Sequence, residues 1–490
     1  MTFRHTAILC LAAAALCRPA DAQTLAKKGW IGSGITVESW WNGAVLYQLD
    51  PVSFQDSTGD GFGDLPGIVQ RLDYLQSLSI DAILLSPLEL QPDSTVPFDP
   101  KYGTAEDFDA LIQQASLHKI RVFVDLPFGP AHTAQQLLNE ARFWLSRGVA
   151  GLRLTPEPTA STAPLSPAQT TDRLRELRRL CSTYAGQRVL LWDLPNPLPT
   201  GSQGYATRRA SSAPRPAEGP QMAVDKRLSD LPNLAAPDLR RALAFDSTLT
   251  PVPITDASNH PRSLDRLGDG THDQDRAKLL AAALLTARGA PLLYFGQEIG
   301  MATTATSGGA TVDPTPMQWG GEPGFTTGVP WIDMGRNAAT ADVALEDADA
   351  GSLLNWYRRL SALRHSSEAI RTGTLDLLAD TNPDVVAWVR RPVQPGSLVA
   401  SVVVVANLSG RTQQVSLGSD LRRTGAASSD ATLHTLAASW LITRVAQEAV
   451  SGFVSANSIT LPPYGIYLGE LPHEARSAEP KPHTRRHRRR

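Results

Sequence analysis

The chain has 490 residues, 42% of them hydrophobic and 19% charged, an ordinary globular composition with room for one large domain and one or two smaller ones. Lys and Arg number 46 against 48 Asp and Glu, a formal net charge of −2. That balance argues against a polyanionic partner, so no nucleic acid is expected.

At the N-terminus, Arg4 and His5 precede the apolar run TAILCLAAAALC, and Ala-Asp-Ala follows before Gln23. A charged start, a short apolar stretch and a small-residue cleavage site read as an export signal over residues 1–22. The run is well short of a spanning helix. The expectation is a periplasmic or secreted protein with no transmembrane anchor after cleavage. Cys10 and Cys17 leave with the leader, and Cys181 remains alone. An internal disulfide is thereby excluded, and Cys181 reads as a packed structural thiol.

Short apolar runs then alternate with helical periods. AVLYQL (44–49), DAILLSP (81–87), RVFVDLP (121–127), GLRLT (151–155) and RVLLWDL (188–194) read as strands, followed by QMAVDKRL (221–228), TPVPITDAS (250–258) and APLLYFGQE (290–298). They are apolar on both faces, as a buried parallel sheet requires. Leu65, Ile68, Val69, Leu72, Leu75 and Leu78 predict one helix capped by Asp64, and SLLNWYRRLSALR (352–364) predicts another after the eighth strand. Eight strand-then-helix units predict a (β/α)₈ barrel, an α/β fold, over residues 23–374. Residues 202–220 read as a loop within it.

The loop DSTGDGFGD (56–64) supports two readings. Asp56, Thr58, Asp60, the Phe62 carbonyl and Asp64 alternate around Gly61 in the manner of a calcium-binding loop. The plainer reading is a polar turn ending in the Asp64 helix cap. After about residue 375, DVVAWVRRP, SVVVVANLSG, TQQVSLGSD and SITLPPYGIYLGEL are strands with turn signals between them. They predict a small antiparallel β-sandwich over 375–472. Residues 473–490 form a basic tail, expected to be solvated and disordered.

Three stretches carry a resemblance. The segment from Trp40 to Pro87, APLLYFGQEIGM (290–301) and TPMQWGGEPGFTTGVPWI (315–332) resemble the α-amylase superfamily, glycoside hydrolase family 13, and within it the oligo-1,6-glucosidase and α-glucosidase branch. The resemblance implies the barrel with its C-terminal β domain. It also implies hydrolysis of α-glucosidic bonds with retention, by two carboxyl groups about 5–5.5 Å apart.

The motifs that would carry this chemistry are altered. The third strand keeps Asp125, but Gly129 and Pro130 stand where Asn and His would follow, and His132 lies two residues further on. On the fourth strand Arg153 is kept and Thr155 takes the nucleophile's place. A hydroxyl cannot stabilise an oxocarbenium-like transition state as a carboxylate does. The fifth strand ends in Trp192-Asp193 where Gly-Glu would supply the acid/base, so the carboxyl is one methylene short and the glycine's open space is filled. The seventh keeps Asn259 and His260, but Pro261 stands where the sugar-holding Asp would be. Only 28 positions separate Asp125 from Arg153, so the family's B domain is reduced or absent. The glucosidase-like ectodomains of amino-acid transporter heavy chains share that loss.

Two functions follow from the resemblance. One is an exported, non-hydrolytic family member that binds an α-glucan or oligosaccharide or scaffolds a protein partner. The other is a weak or altered α-glucosidase using Asp193 with Glu157, Asp125 or Asp256. Thr155, Trp192 and Pro261 favour the first.

Overall fold

The computed structural model describes residues 39–86, 88, 98–157, 164–195, 219–244, 247, 249–258, 260–303, 314–321, 324–379, 381–394, 397–440 and 452–471. The leader, the basic tail and most of the 202–220 loop lie outside them. Eight strands form the first sheet: β1 (Leu46–Leu49), β2 (Ala82–Leu85), β3 (Arg121–Pro127), β4 (Gly151–Thr155), β5 (Val189–Trp192), β6 (Met222–Asp225), β7 (Thr250–Pro253) and β8 (Leu292–Tyr294). All run parallel, in the order β7-β6-β5-β4-β3-β2-β1-β8. This is the predicted barrel, with each expected strand present and trimmed at its ends.

Both faces of these strands are apolar because both are covered. Leu46, Leu84, Phe123, Leu191, Met222 and Val252 fill the cylinder, while Leu85, Val124, Leu152 and Leu190 pack beneath the helices. Gly151 serves a close approach, since a Cβ there would lie 2.1 Å from the Phe123 ring. Helices Ala105–Leu117, Ala134–Ser146 and Pro167–Ser182 each begin with a reciprocal capping box, from Thr104, Thr133 and Ser166. Between Pro127 and Gly151 lie only a loop and helix Ala134–Ser146, so no B domain intervenes.

The seam between β7 and β8 is held differently from the other strand pairs. Residues 250 and 254 turn their N–H groups toward β6, bonding Gln221 and Asp225 carbonyls. The alternate residues face β8, and they are Pro251 and Pro253, which have no N–H. One backbone bond, Ala290 N–H to the Pro251 carbonyl at 2.9 Å, spans the seam here.

The predicted 65–78 helix is interrupted. It forms Leu65–Gln70 and Leu72–Ser77, with Arg71 out of helical geometry at φ −107, ψ 11. Tertiary contacts outweigh the periodicity: Arg71 donates to Gln55 Oε1 at 2.7 Å and lies over the Trp319 ring at 4.1 Å.

The C-terminal β domain is a sandwich. Strands β9 (Thr374–Leu378), β10 (Val385–Arg391), β11 (Ser401–Asn407), β13 (Thr432–Ala438), β14 (Phe453–Ser455) and β16 (Ile466–Leu471) make an antiparallel sheet, ordered β14-β13-β16-β11-β10-β9. The pair β12 (Gln413–Val415) and β15 (Ile459–Leu461) covers one face through Val403, Val405, Leu433 and Ile459. The other face, with Trp388, Val404 and Leu468, joins the barrel's core. Strands β9, β13 and β14 escaped the sequence pattern, as did helix Gly418–Arg423 inside TQQVSLGSD. Cys181 is buried, and burial pushes its thiol up to about 11, consistent with a packed, unreactive group. No helix among the described residues is long and apolar enough to cross a membrane.

Candidate functional site

The C-terminal ends of barrel strands are where such folds carry chemistry. Register places Asp125 beside Arg153 and Pro127 beside Thr155. Asp125, Arg153 and Thr155 share the inward parity of Phe123 and Gly151, and Asp193 continues that of Leu191. The barrel therefore brings Asp125, Arg153, Thr155 and Asp193 to one mouth.

Arg153 organises it. The side chain is buried, and its Nε and Nη2 donate to the two Asp125 oxygens at 2.6 and 2.7 Å. Nη1 donates to Gln48 Oε1 at 2.9 Å and lies 3.6 Å from Asp193. The other Asp193 oxygen lies 3.7 Å from Lys226 Nζ. Burial works against the Arg153 cation, but Asp125 and Asp193 outweigh it and hold the guanidinium above its ordinary pKa. The two carboxyl groups thus meet different edges of one planar cation. Retention instead needs them to face one glycosidic bond. On β6, Asp225 is likewise clasped by Arg227 at 2.8 and 2.6 Å.

Thr155 closes β4, its carbonyl accepting from Phe128 N–H at 2.8 Å. Trp192 is 6% exposed and sets its ring edge-on to Phe128, centroids 5.8 Å apart. Two aromatic rings thus fill the volume that a glycine before the acid/base would leave open.

Glu157 has a role that sequence reading missed. It folds back from Pro156 and is buried, accepting from Ala131 N–H at 2.7 Å and from His132 N–H at 3.0 Å. His132 Nδ1 lies 2.9 Å from the same carboxylate. Burial raises its carboxyl, but the Ala131 and His132 bonds prevail and hold it below its ordinary range. A Cβ at position 129 would lie 2.5 Å from Glu157 Oε2, which explains Gly129. His132 and Glu157 therefore clamp the loop after β3 to the loop after β4, and Glu157 is committed to that clamp.

His260 turns onto its neighbour, with Nδ1 3.1 Å from the Pro261 carbonyl, and Asn259 lies outside the described residues. Asp256 is buried and accepts from Ser263 N–H and, at 2.8 Å, from Ser263 Oγ, so it anchors the short helix Ser263–Leu267.

The acidic loop is self-capped. Asp56 accepts from the N–H groups of Thr58, Gly59 and Gly61, each at 2.8 Å, and from Thr326 Oγ1. Burial raises its carboxyl, but these bonds outweigh it and hold it below its ordinary range. Asp60 accepts from Phe62 N–H, and Asp64 from Ser57 and from Gly67 N–H as the helix cap. Gly61, at φ +93, lies against the Val329 carbonyl where no Cβ fits. Among the described residues, no three Asp, Glu, His or Cys side chains group as metal ligands. Asp56, Thr58, Asp60, Phe62 and Asp64 thus lie in a turn held by its own hydrogen bonds, with Asp64 capping the helix that follows.

A sequence profile of the α-amylase catalytic domain matches residues 48–137 and 248–373. The chain is 26% identical to the trehalose-6-phosphate hydrolase of Escherichia coli (strain K12), over 76% of this chain and 92% of that protein. It is also 26% identical to a probable α-glucosidase of Rhizobium meliloti (strain 1021), over 72% and 87%. The chain is similar to the α-amylase family. An oligo-1,6-glucosidase of Bacillus cereus, 23% identical over 72% of this chain and 89% of that protein, marks the same branch. The trehalulose synthase of Pseudomonas mesoacidophila MX-45 shares the fold, with TM-score 0.70 at 22% identity over 88% of this chain and 99% of that one.

The gap in the α-amylase match, residues 138–247, spans β4, β5 and β6. The chain thus departs from the profile where Thr155, Trp192, Asp193 and Lys226 lie. Lys226 and Gln48 joined no sequence argument; for Lys226 the signal was Asp-Lys-Arg (225–227) at a barrel strand's C-terminal end, and for Gln48 a polar residue inside the apolar run of β1.

Proposed function

We propose that this α-amylase-like protein binds an α-glucan or oligosaccharide without hydrolysing it, and that the leader exports it to the periplasm or medium. The observation that carries this is the mouth of the barrel: Thr155 at the nucleophile's position, with both neighbouring carboxylates, Asp125 and Asp193, neutralised by Arg153 and Lys226. A carboxylate paired with adjacent cations offers little stabilisation to a developing oxocarbenium charge. The absent nucleophile alone costs several powers of ten in rate. Relatives named as trehalose-6-phosphate hydrolase and α-glucosidase support the sugar class.

The test is a turnover screen on α-1,4 and α-1,6 glucosides with an Asp193→Ala control, alongside calorimetric titration with maltooligosaccharides. Binding without turnover above the control is expected. Turnover that Asp193→Ala abolishes would establish the altered glucosidase instead. Recovery of exported protein beginning at Gln23 checks the leader, and retention of residues 1–22 refutes it.

A further inference from the structure

Of the charged groups at the barrel mouth, Asp125 and Arg153 are largely spent on one another. Asp125 gives both carboxylate oxygens to Arg153, at 2.6 and 2.7 Å, and Arg153 Nη1 donates to Gln48 at 2.9 Å. Asp193 and Lys226 are held differently. Asp193 Oδ2 lies 3.6 Å from Arg153 Nη1, and Oδ1 lies 3.7 Å from Lys226 Nζ. Both separations are close enough for attraction and too long for a hydrogen bond. Among the described residues, no group donates a hydrogen bond to the Asp193 carboxylate, and Lys226 Nζ donates none. Their side chains are 19% and 52% exposed, so both meet solvent. The charges here cancel, Asp125 and Asp193 against Arg153 and Lys226, and beside them Asp225 against Arg227.

We propose that the ligand of this mouth is an unphosphorylated sugar, two of whose adjacent hydroxyls are read by Asp193 and Lys226. The proposal rests on the carbohydrate reading of the mouth and narrows it to a ligand class. A carboxylate only accepts hydrogen bonds, and an ammonium only donates them. A ligand that satisfies both must donate and accept at short range, as hydroxyls on neighbouring carbons do. A phosphate dianion brings acceptors alone, so it would meet Lys226 but set its charge beside Asp193. Balanced local charge leaves no positive excess to offset that repulsion.

Maltose, maltose 6′-phosphate and the monodeoxy analogues of maltose are titrated into the full chain by calorimetry at constant ionic strength. Maltose should bind at least as tightly as its phosphate ester. Lys226→Met and Asp193→Ala should each weaken maltose binding by about tenfold. Lys226 is half-exposed, so Lys226→Met should leave melting temperature within about 2 °C of wild type, which separates a lost contact from a lost fold. One deoxy analogue should bind wild type about tenfold more weakly than maltose, yet bind Lys226→Met as maltose does, because the missing hydroxyl is the one the ammonium holds. Variants that bind maltose like wild type overturn this inference and leave the carbohydrate reading standing. So does tighter binding of the phosphate ester by a margin that Lys226→Met removes. Absence of binding by any of these sugars overturns both.

Discussion

Removing the Glu157 carboxylate separates a structural clamp from a substitute catalytic group. Its side chain is only 2% exposed and makes three polar contacts, of 2.7, 3.0 and 2.9 Å, to Ala131 N–H, His132 N–H and His132 Nδ1. Hydrogen bonds to a charged group contribute about 1.5–3 kcal/mol each, and deletion leaves donors unsatisfied. Allowing for relaxation, Glu157→Ala should cost about 3–5 kcal/mol. At this chain length that is a fall in melting temperature of roughly 3–5 °C. Glu157→Gln keeps the shape but turns an NH₂ toward an N–H donor, and should cost about 2 kcal/mol. Gly129→Ala drives a Cβ to 2.5 Å from Oε2, an overpacking worth about 1–3 kcal/mol. That penalty should shrink in the Glu157→Ala background, because the obstacle is gone. The pH dependence has a definite sign. A carboxyl held below its ordinary range in the fold stabilises fully above the unfolded value near about 4.3, and that stability is lost as pH falls through the lower, folded value. The difference between wild type and Glu157→Gln should therefore be largest at neutral pH and close in acid. A Glu157→Ala loss below about 1 °C, or a Gly129→Ala penalty independent of Glu157, refutes the clamp.

Thr155→Asp alone should restore little hydrolysis of an activated aryl α-glucoside, since Pro261, Trp192 and the Arg153-bound carboxylates remain, and roles that act as a unit are strongly non-additive. Large activity from that single change would show an otherwise intact site; combining it with Trp192→Gly and Asp193→Glu tests how far repair can go. For the acidic loop, the self-capped Asp56 and Asp64 should leave melting temperature within about 2 °C between chelator and millimolar calcium. A larger rise with calcium, lost in Asp60→Asn, would establish the cation reading of Asp56, Thr58, Asp60, Phe62 and Asp64.

The barrel was legible because burial on both faces leaves continuous apolar runs, and the altered mouth because strand-end positions follow from the strands themselves. Thr155 beside Pro127 and Asp125 beside Arg153 needed only register. What stayed hidden depends on contacts between distant segments. Nothing periodic announces that Glu157 reaches back 26 residues to Ala131, or that Lys226 approaches Asp193 from 33 positions further along the chain. Arg71 breaks a well-patterned helix for a contact with Trp319. Strands β9, β13 and β14 carry mixed or exposed faces, as β14 does at Phe453 and Ser455, and so lack the apolar run that marks their neighbours.

The proline-faced edge of β7 makes the cylinder a wrapped ribbon, stitched firmly along seven joins and lightly at the eighth. Thermal opening has a preferred starting line, because parting β7 from β8 sacrifices little main-chain bonding while every other strand pair resists. Ala290 supplies the amide that spans this line, so its exchange with solvent reports the ribbon's breathing.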